Sequence, residues 1–187
     1  HRWTTDDLVT AAVAARELQT TNCRFQQQNN AIRICDLGTG NGSVLQMLLH
    51  KTLSMNNIYI QRAVGVEARK EAVELARRSL SFNVGGSLPV EIIHTDFRGF
   101  QDGPFDLITG TPPYFRVEFA ITDDGSNVVE TATIQQGGMP SAVQSAPARC
   151  EFRGGLEAYC ETAKRLGFNV FCVCENYLNH ERAIRAF

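Results

Sequence analysis

Long hydrophobic runs are missing from this chain. None of its apolar stretches approaches the roughly 20 residues that a membrane-spanning helix needs, and no signal-like segment opens it. We therefore expect no association with a membrane. The sequence of 187 residues begins at His1 rather than at methionine, so we expect that the natural N-terminus lies further upstream.

An excess of one charge is also absent. The net charge is −2 and the isoelectric point is near 6.1, which gives no overall attraction to nucleic acid but is compatible with a local basic groove. The hydrophobic share of 43% and the charged share of 20% are ordinary for a globular protein. The length suffices for one domain with a hydrophobic core, and we predict a single domain over residues 1–187.

The chain has six cysteines, but their spacing is not that of a metal-binding site. They form no C-x-x-C pair and no zinc-like cluster with histidines. Those within apolar, strand-like runs, where a thiol behaves as a small hydrophobe, are Cys35, Cys172 and Cys174. We expect reduced thiols, no bound metal and an intracellular location, in the cytoplasm.

What the chain does contain is an alternation of strand-like and helix-like segments. Five apolar runs read as strands, namely "AIRIC", "RAVGVEA", "VEIIHTD", "FDLITG" and "FNVFCVCEN". Nearly continuous apolar strands that alternate with helices indicate a parallel sheet covered on both faces. The predicted fold class is therefore α/β, with a doubly wound, mostly parallel sheet.

Two further segments flank or interrupt this alternation. A lead-in helix is predicted within residues 1–22, capped by Thr4 or Thr5. Its apolar stripe at helical spacing is expected to face the core and consists of Leu8, Val9, Ala12, Val13 and Leu18. Residues 120–148 show no period and are predicted to form a long loop, of the kind that is usually functional or disordered.

A glycine-rich turn follows the first strand. In "CDLGTGNG", Gly38, Gly40 and Gly42 are spaced G-x-G-x-G, and Asp36 precedes them by two residues. The dinucleotide-binding pattern would need glycine at position 43, where Ser43 stands. Asp36 would also repel a pyrophosphate, whereas it would not repel a cofactor that carries an ammonium and a sulfonium group. The turn alone is weak evidence, because such turns also serve as tight strand–helix corners.

Two more acids stand at strand ends. Glu67 ends the second strand, where a carboxylate can accept both hydroxyl groups of a ribose. Asp96 closes the third strand with Phe97 beside it, a pair that suits the amino group and the ring face of an adenine. Any one of these acids is equally well explained as a solvated strand terminus. Three acids at successive strand ends, together with the glycine turn, favour a cofactor crevice.

These motifs resemble a known family. The turn from Asp36 to Gly42, Glu67, Asp96 and the run Pro112-Pro113-Tyr114 are similar to those of class I S-adenosylmethionine-dependent methyltransferases, over roughly residues 30–180. "HRWTTDDLVTAA" is similar to the lead-in helix of the bacterial tRNA adenine-N6 methyltransferases, a subgroup with Asn-Pro-Pro-Tyr/Phe. The resemblance implies a Rossmann-like fold with seven strands. Since five are recognised, we expect this chain to lack the last strands.

The resemblance also implies a cofactor and residue roles. It implies S-adenosylmethionine in the crevice, with Asp36, Gly38 and Gly40 flanking its methionine part. Glu67 would bind the ribose, and Asp96 with Phe97 would bind the adenine.

The corner "GTPPYF" contains the residues that we predict to be catalytic. Two adjacent prolines make it rigid and leave the carbonyl groups free. In the subgroup that it resembles, the residue before the prolines and the first proline's carbonyl accept hydrogen bonds from a planar amino group, and the aromatic residue stacks on it. The implied catalytic residues are therefore Thr111, Pro112 and Tyr114. Thr111 departs from the usual Asn, Asp or Ser: its hydroxyl can accept one hydrogen bond but lacks the carbonyl-plus-amide face of asparagine.

Four further residues are candidates for substrate binding: Pro113, Phe115, Arg149 and Arg153. The arginines could hold a phosphate or a carboxylate, or could be a solvated helix entry.

The leading hypothesis is an N-methyltransferase acting on an amino group of a base in RNA, or less readily in DNA. A protein glutamine side chain is the alternative substrate, and a small molecule is a further one. A cofactor-binding scaffold without activity is kept open by Thr111. A nicotinamide dehydrogenase fits poorly with Ser43 and Asp36. Oligomeric state is not predicted.

Overall fold

The computed structural model describes residues 3–25, 31–55, 58–114, 120–121, 127–128, 151 and 154–187. The strands are β1 (Ala31–Leu37), β2 (Tyr59–Glu67), β3 (Val90–His94), β4 (Phe105–Gly110), β5 (Ala120–Ile121), β6 (Asn127–Val128) and β7 (Phe168–Val173). The α-helices are α1 (Thr5–Phe25), α2 (Ser43–Leu53), α3 (Lys70–Asn83), α4 (Leu156–Leu166) and α5 (His180–Ala186).

Five of these strands form one parallel sheet in the order β3-β2-β1-β4-β7. The chain runs outward from β1 through β2 to β3 and then returns to β4 on the other side of β1. This reversal places the topological switch point of the sheet between β1 and β4, where such sheets bind ligands at the carboxyl ends of their strands. The predicted doubly wound, mostly parallel α/β fold is confirmed.

The central strands are buried because helices cover them. On α3, the buried side chains lie at helical spacing and are Ala72, Val73, Ala76 and Leu80. Val73, Ala76 and Leu80 join the core residues of β1 and α2, which include Ile32, Ile34, Leu45, Leu48 and Leu49. The spacing of the apolar residues in α3 therefore matches the face of the helix that is buried.

On α1 the predicted apolar stripe is wrong except at Leu18, which is buried. Leu8, Val9 and Val13 are 42%, 45% and 36% exposed. The residues that face inward together with Leu18 are Thr10, Ala11, Ala14 and Ala15. The helix packs on α2 and also contacts β4 and β7, and small side chains allow this close approach. Both stripes have helical spacing, so spacing could not separate them.

The start of α1 follows from a reciprocal capping arrangement. The Thr4 hydroxyl accepts a hydrogen bond from the Asp7 N–H at 3.4 Å, and the Asp7 carboxylate accepts one from the Thr4 N–H at 2.9 Å. Of the two predicted caps, Thr4 is therefore the one that acts. The helix then continues to Phe25, past the predicted limit of residue 22.

The chain divides into two compact units. One comprises His1–Thr111 and Glu161–Cys174, and the other comprises Pro112–Cys160 and Glu175–Phe187. The first unit holds the parallel sheet. The second holds a short antiparallel pair, β5 with β6, in the segment predicted to be a long loop. The single domain over residues 1–187 stays a prediction.

No helix in the described part of the chain is long and apolar enough to cross a membrane.

Candidate cofactor-binding site

The glycine turn connects β1 to α2 and needs its glycines for conformational reasons. Gly38, Gly40 and Gly42 have φ angles of 62°, 58° and 82°, a region that side chains with a Cβ atom rarely adopt. The turn closes with a hydrogen bond from the Gly42 N–H to the Thr39 carbonyl at 2.8 Å. The predicted glycine turn therefore has the geometry of a sharp strand-to-helix corner.

Gly40 differs from Gly42 in what surrounds it. A Cβ atom on Gly42 would lie 3.1 Å from Gln46 Nε2 and 3.5 Å from the Ala76 Cβ, so this glycine also lets two helices approach. Among the residues that the structure describes, none would lie nearer than 4.0 Å to a Cβ on Gly40, the distance at which Arg69 Nη2 lies. The turn therefore leaves open space beside Gly40.

The Asp36 side chain anchors this turn through hydrogen bonds. Its side chain is buried, with its Oδ2 accepting a hydrogen bond from the Thr39 hydroxyl at 2.6 Å and its Oδ1 accepting one from the Thr109 hydroxyl at 2.7 Å. Burial raises the pKa of Asp36 to about 6, although both hydroxyls lower it. Asp36 thus ties the turn to β4 across the switch point.

Gly65 makes room for this arrangement. It lies opposite Asp36 in the register of β1 with β2. A Cβ atom on Gly65 would lie 2.9 Å from Thr39 Cγ2 and 2.6 Å from Ile92 Cδ1. Thr39 can therefore sit over the sheet and reach Asp36 only because position 65 has no side chain. Sequence reasoning missed Gly65, Thr39 and Thr109, since only the strand register identifies them.

Glu67 ends β2 beside the glycine turn. Its carboxylate is nearly buried, at 6% exposure for the residue. Glu67 Oε2 accepts a hydrogen bond from the Gly40 N–H at 2.9 Å, and Oε1 accepts bonds from the Arg69 N–H at 2.8 Å and Nε–H at 3.1 Å. Two predicted site residues, Glu67 and Gly40, are thus brought into contact.

Asp96 follows β3 at the same edge of the sheet. β3 pairs with β2 so that His94 lies opposite Glu67, and the Thr95 N–H donates to the Glu67 carbonyl at 3.0 Å. The Asp96 carboxylate binds the Arg98 guanidinium in a bidentate manner, at 2.9 and 2.6 Å. Phe97 begins a single turn of 3-10 helix and is buried.

The two arginines were also missed by sequence reasoning. Arg69 and Arg98 each stand two residues after an acid at or just beyond the end of a strand, in "EAR" and "DFR". This repeated spacing is a signal that could have identified them, because a carboxylate can fold onto a cation two residues ahead where the strand stops.

The proline corner continues directly from β4. Thr111 is half-buried, Pro112 is buried, and Pro113 and Tyr114 are half-buried. The last three belong to the second unit. The predicted substrate-binding residues Phe115, Arg149 and Arg153 lie outside the described residues.

Near Arg149 and Arg153 in sequence, the second unit holds a charge cluster that sequence reasoning missed. Arg182 on α5 donates to the Glu151 carboxylate at 2.5 and 3.0 Å and to both oxygens of Glu157. The hydrogen bonds to Glu157 and Glu151 raise the pKa of Arg182. Because both carboxylates are bound to Arg182, the cluster stabilises the contact of α5 with the start of α4.

A cleft of about 480 Å³ lies at the opposite edge of the sheet. Its lining includes the residues at the amino ends of three strands, Ala31, Phe105 and Phe168. Ligands of parallel sheets bind at the carboxyl ends instead. We therefore assign the candidate site to the glycine turn.

Sequence comparisons relate the chain to two kinds of methyltransferase. It is 35% identical over 85 residues to a tRNA1(Val) (adenine(37)-N6)-methyltransferase from Tolumonas auensis, across 46% of this chain and 33% of that protein. It is 33% identical over 91 residues to a release factor glutamine methyltransferase from Bradyrhizobium diazoefficiens, across 49% of this chain and 28% of that protein. The chain spans about a third of the length of the curated relatives that it matches. No family model matches it.

Structural comparison establishes the fold. The ribosomal protein L11 methylase from Lactobacillus delbrueckii subsp. bulgaricus superposes with a TM-score of 0.59 at 12% identity, across 99% of this chain and 68% of that chain. The chain therefore has a Rossmann-like methyltransferase fold. The predicted resemblance to class I S-adenosylmethionine-dependent methyltransferases is confirmed.

Proposed function

We propose that this protein is an S-adenosylmethionine-dependent N-methyltransferase that acts on an exocyclic amino group of a base in RNA. The observation that carries the proposal is the carboxyl edge of the sheet. There a glycine turn, anchored by Asp36, donates the Gly40 N–H to Glu67, and Asp96 follows the end of β3. A hydroxyl-rich, positively charged nucleoside cofactor complements such an acidic edge.

The residues present fit this cofactor. The open space beside Gly40 supports close approach of a ligand to the backbone of the turn, with Gly38 and Gly40 beside its methionine part. Glu67 would accept hydrogen bonds from the ribose hydroxyls, and Asp96 with Phe97 would border the adenine. Asp36 gives both its oxygens to threonine hydroxyls, so it would support the cofactor through Thr39.

The proline corner would prepare the substrate nitrogen. When bound, S-adenosylmethionine supplies a methyl group on a positively charged sulfur. The Thr111 hydroxyl and the Pro112 carbonyl accept hydrogen bonds from the substrate amino group, which favours a pyramidal nitrogen as positive charge develops on it. The Tyr114 ring stacks on the plane that carries this nitrogen. Positioning then supplies most of the rate, and no strong general base is required.

The two kinds of sequence relative support two candidate substrates. Both an adenine amino group and a glutamine amide present a planar nitrogen with a delocalised lone pair. The match to a tRNA adenine-N6 methyltransferase and the similar lead-in helix favour RNA. The matches to release factor glutamine methyltransferases and the net charge of −2 favour a protein. For RNA, we further propose Pro113, Phe115, Arg149 and Arg153 as contacts to a flipped base and its phosphate.

The test is transfer of a radiolabelled methyl group from S-adenosylmethionine, offered separately with total RNA, DNA and a protein extract. We expect label in RNA, released as N6-methyladenine on digestion. Label in protein, recovered as methylglutamine, would establish the second candidate instead. Label in none of the three, with no binding of S-adenosylmethionine in a separate titration, would refute the proposal.

A matched pair of variants ties the result to the site. Glu67→Gln should abolish cofactor binding and transfer. Glu91→Gln makes the same change on β3, in an exposed residue paired with Arg62, and should leave both intact. Thr111→Asn separates a catalyst from a scaffold: a catalyst should gain about fivefold in rate from the stronger acceptor, whereas a scaffold transfers no methyl group in either form.

A further inference from the structure

The Glu67 carboxylate is heavily engaged before any ligand is considered. From the described part of the chain it accepts three hydrogen bonds, one from the Gly40 N–H and two from Arg69. One of the two Arg69 bonds comes from the backbone and the other, at 3.1 Å, from the side-chain Nε–H. Arg69 is therefore the side chain that would compete with a ligand for the Glu67 carboxylate.

This engagement leaves too few acceptor positions for a ribose. A carboxylate offers about four lone-pair positions, and three are taken. A diol that donates both of its hydroxyl hydrogens to Glu67 needs two positions. Of the three groups in place, the two backbone N–H groups belong to the turn and to the start of α3, so the Arg69 side chain is the one free to leave.

The surroundings of Arg69 allow this movement. Arg69 occupies the N-cap position of α3 but makes no side-chain capping bond there, and its carbonyl accepts the Val73 N–H at 3.0 Å. The helix start therefore does not depend on the guanidinium. The guanidinium also lies over the turn, with Nη2 4.0 Å from the position of a Cβ on Gly40.

We propose that the Arg69 side chain is an internal competitor for the ribose acceptor, and that it leaves Glu67 when the ribose diol of the cofactor binds. This inference rests on the proposed function, since it requires a ribose-bearing ligand. Arg69 is a positioning residue in this scheme: it keeps the Glu67 carboxylate oriented until the ligand replaces it. Binding of the diol is therefore an exchange of one donor set for another.

The strength of the ion pair between Arg69 and Glu67 limits how much its loss can change cofactor affinity. The guanidinium is 27% exposed and the Glu67 side chain 7%, so water screens the pair from one side. An ion pair of this kind contributes at most about 1 kcal/mol, which corresponds to about a fivefold change in affinity. Removing the competitor should therefore tighten cofactor binding by up to about fivefold.

The experiment is isothermal titration with S-adenosylhomocysteine and, in parallel, with its 2′-deoxyribose analogue. Arg69→Ala is compared with the unmodified protein and with Arg62→Ala. Arg62 is a matched control because it forms ion pairs with Glu91 and Asp102 near the other end of β2. Thermal unfolding of each variant checks that the proteins titrated are folded.

We expect Arg69→Ala to lower the Kd for S-adenosylhomocysteine about fivefold. For the deoxyribose analogue, whose single hydroxyl can use the remaining lone pair, we expect no change, and Arg62→Ala should change neither value. An equal or higher Kd for Arg69→Ala, or equal tightening for both ligands, would overturn the inference alone. Failure of the unmodified protein and of Arg62→Ala to bind S-adenosylhomocysteine would overturn the proposed function, and the inference with it.

Discussion

At the scale of single residues, the three acids at the carboxyl edge of the sheet have different electrostatic surroundings. Asp36 is buried between two threonine hydroxyls, whereas Glu67 and Asp96 each face an arginine two residues ahead. A buried carboxylate without a cation loses hydration that hydroxyl groups replace only in part. Burial therefore makes the protonation of Asp36 favourable to the stability of the fold.

Asp36 should make the protein less stable as the pH rises. Its pKa in the folded protein is about 6, above the ordinary value of 3.8, so the folded state holds the proton more tightly than the unfolded state. Its contribution to the free energy of unfolding is complete below pH 3.8 and is lost as the pH rises through 6. The loss amounts to about 3 kcal/mol at most. Asp36→Asn should remove this part of the pH dependence, measured by urea unfolding between about pH 4 and about pH 7.

Asp102→Asn is the matched comparison, because it should act with the opposite sign. Burial raises the pKa of Asp102, but the Gly103 N–H and the Arg62 guanidinium lower it more, and the net pKa lies below 3.8. The contribution of Asp102 is therefore present above pH 3.8 and lost below it. Asp102→Asn should destabilise the protein at neutral pH. If Asp36→Asn leaves the slope between pH 4 and pH 6 unchanged, the burial of a charged Asp36 is not costly.

At the scale of elements, the site depends on how closely the turn after β1 lies on β2. Thr39 donates its backbone N–H to the Val66 carbonyl at 2.9 Å, and its methyl group fills the space above Gly65. The contact of the turn with β2 and its bond to Asp36 thus share one residue. A substitution in β2 that displaces Thr39 should therefore also alter the glycine turn.

Gly65→Ala should destabilise the protein and weaken cofactor binding together. The added methyl group would lie 2.6 Å from Ile92 Cδ1 and 2.9 Å from Thr39 Cγ2, and overpacking of this kind costs about 1 to 3 kcal/mol. Displacing Thr39 also removes a hydrogen bond from Asp36. Urea unfolding and titration with S-adenosylhomocysteine measure the two effects.

Gly86→Ala is the control for this substitution. Gly86 has a φ of −77° and open space within 4 Å of its Cβ position, so the change in stability should stay within about 0.5 kcal/mol. Equal effects of the two substitutions would mean that the contact between Thr39 and β2 does not matter.

The elements themselves were largely predictable from the sequence. The glycine turn, β4 and the buried side of α3 each have a local signal, either a spacing or a run of apolar residues. The inward side of α1 was not predictable, because hydrophobicity ranks Leu8 and Val13 above Ala11 and Ala14. Close packing against α2 reverses that ranking, and the packing distance is not encoded in the pattern.

The site was predictable only as a set of positions. Its acids could be placed at strand ends because parallel strands end at a common edge. Their partners could not be named, since Thr109 reaches Asp36 across two strands that are 73 residues apart in sequence. Such contacts depend on strand register, which the apolar runs of a buried parallel sheet leave undetermined.

At the scale of the whole molecule, a bound ligand should report on the integrity of the fold. A ligand that binds only the folded state at 100 times its Kd stabilises a protein by about 2.7 kcal/mol, which for this length corresponds to a rise of about 5 to 10 °C in Tm. We expect this rise with S-adenosylhomocysteine in a thermal scan. Glu67→Gln should show no rise, and Glu91→Gln should show the full one. A full rise in Glu67→Gln would contradict the assignment of Glu67 to the ribose.

The bond between Thr109 and Asp36 also has a consequence for the order in which the chain can assemble. The glycine turn lies at residues 38–42, but its anchor requires β4, which is added to the sheet after β2 and β3 have been made. During synthesis the turn is therefore complete in sequence long before it is complete in structure. Non-local pairing of this kind slows folding. The cofactor site that we propose is therefore complete only once residue 109 has joined the sheet.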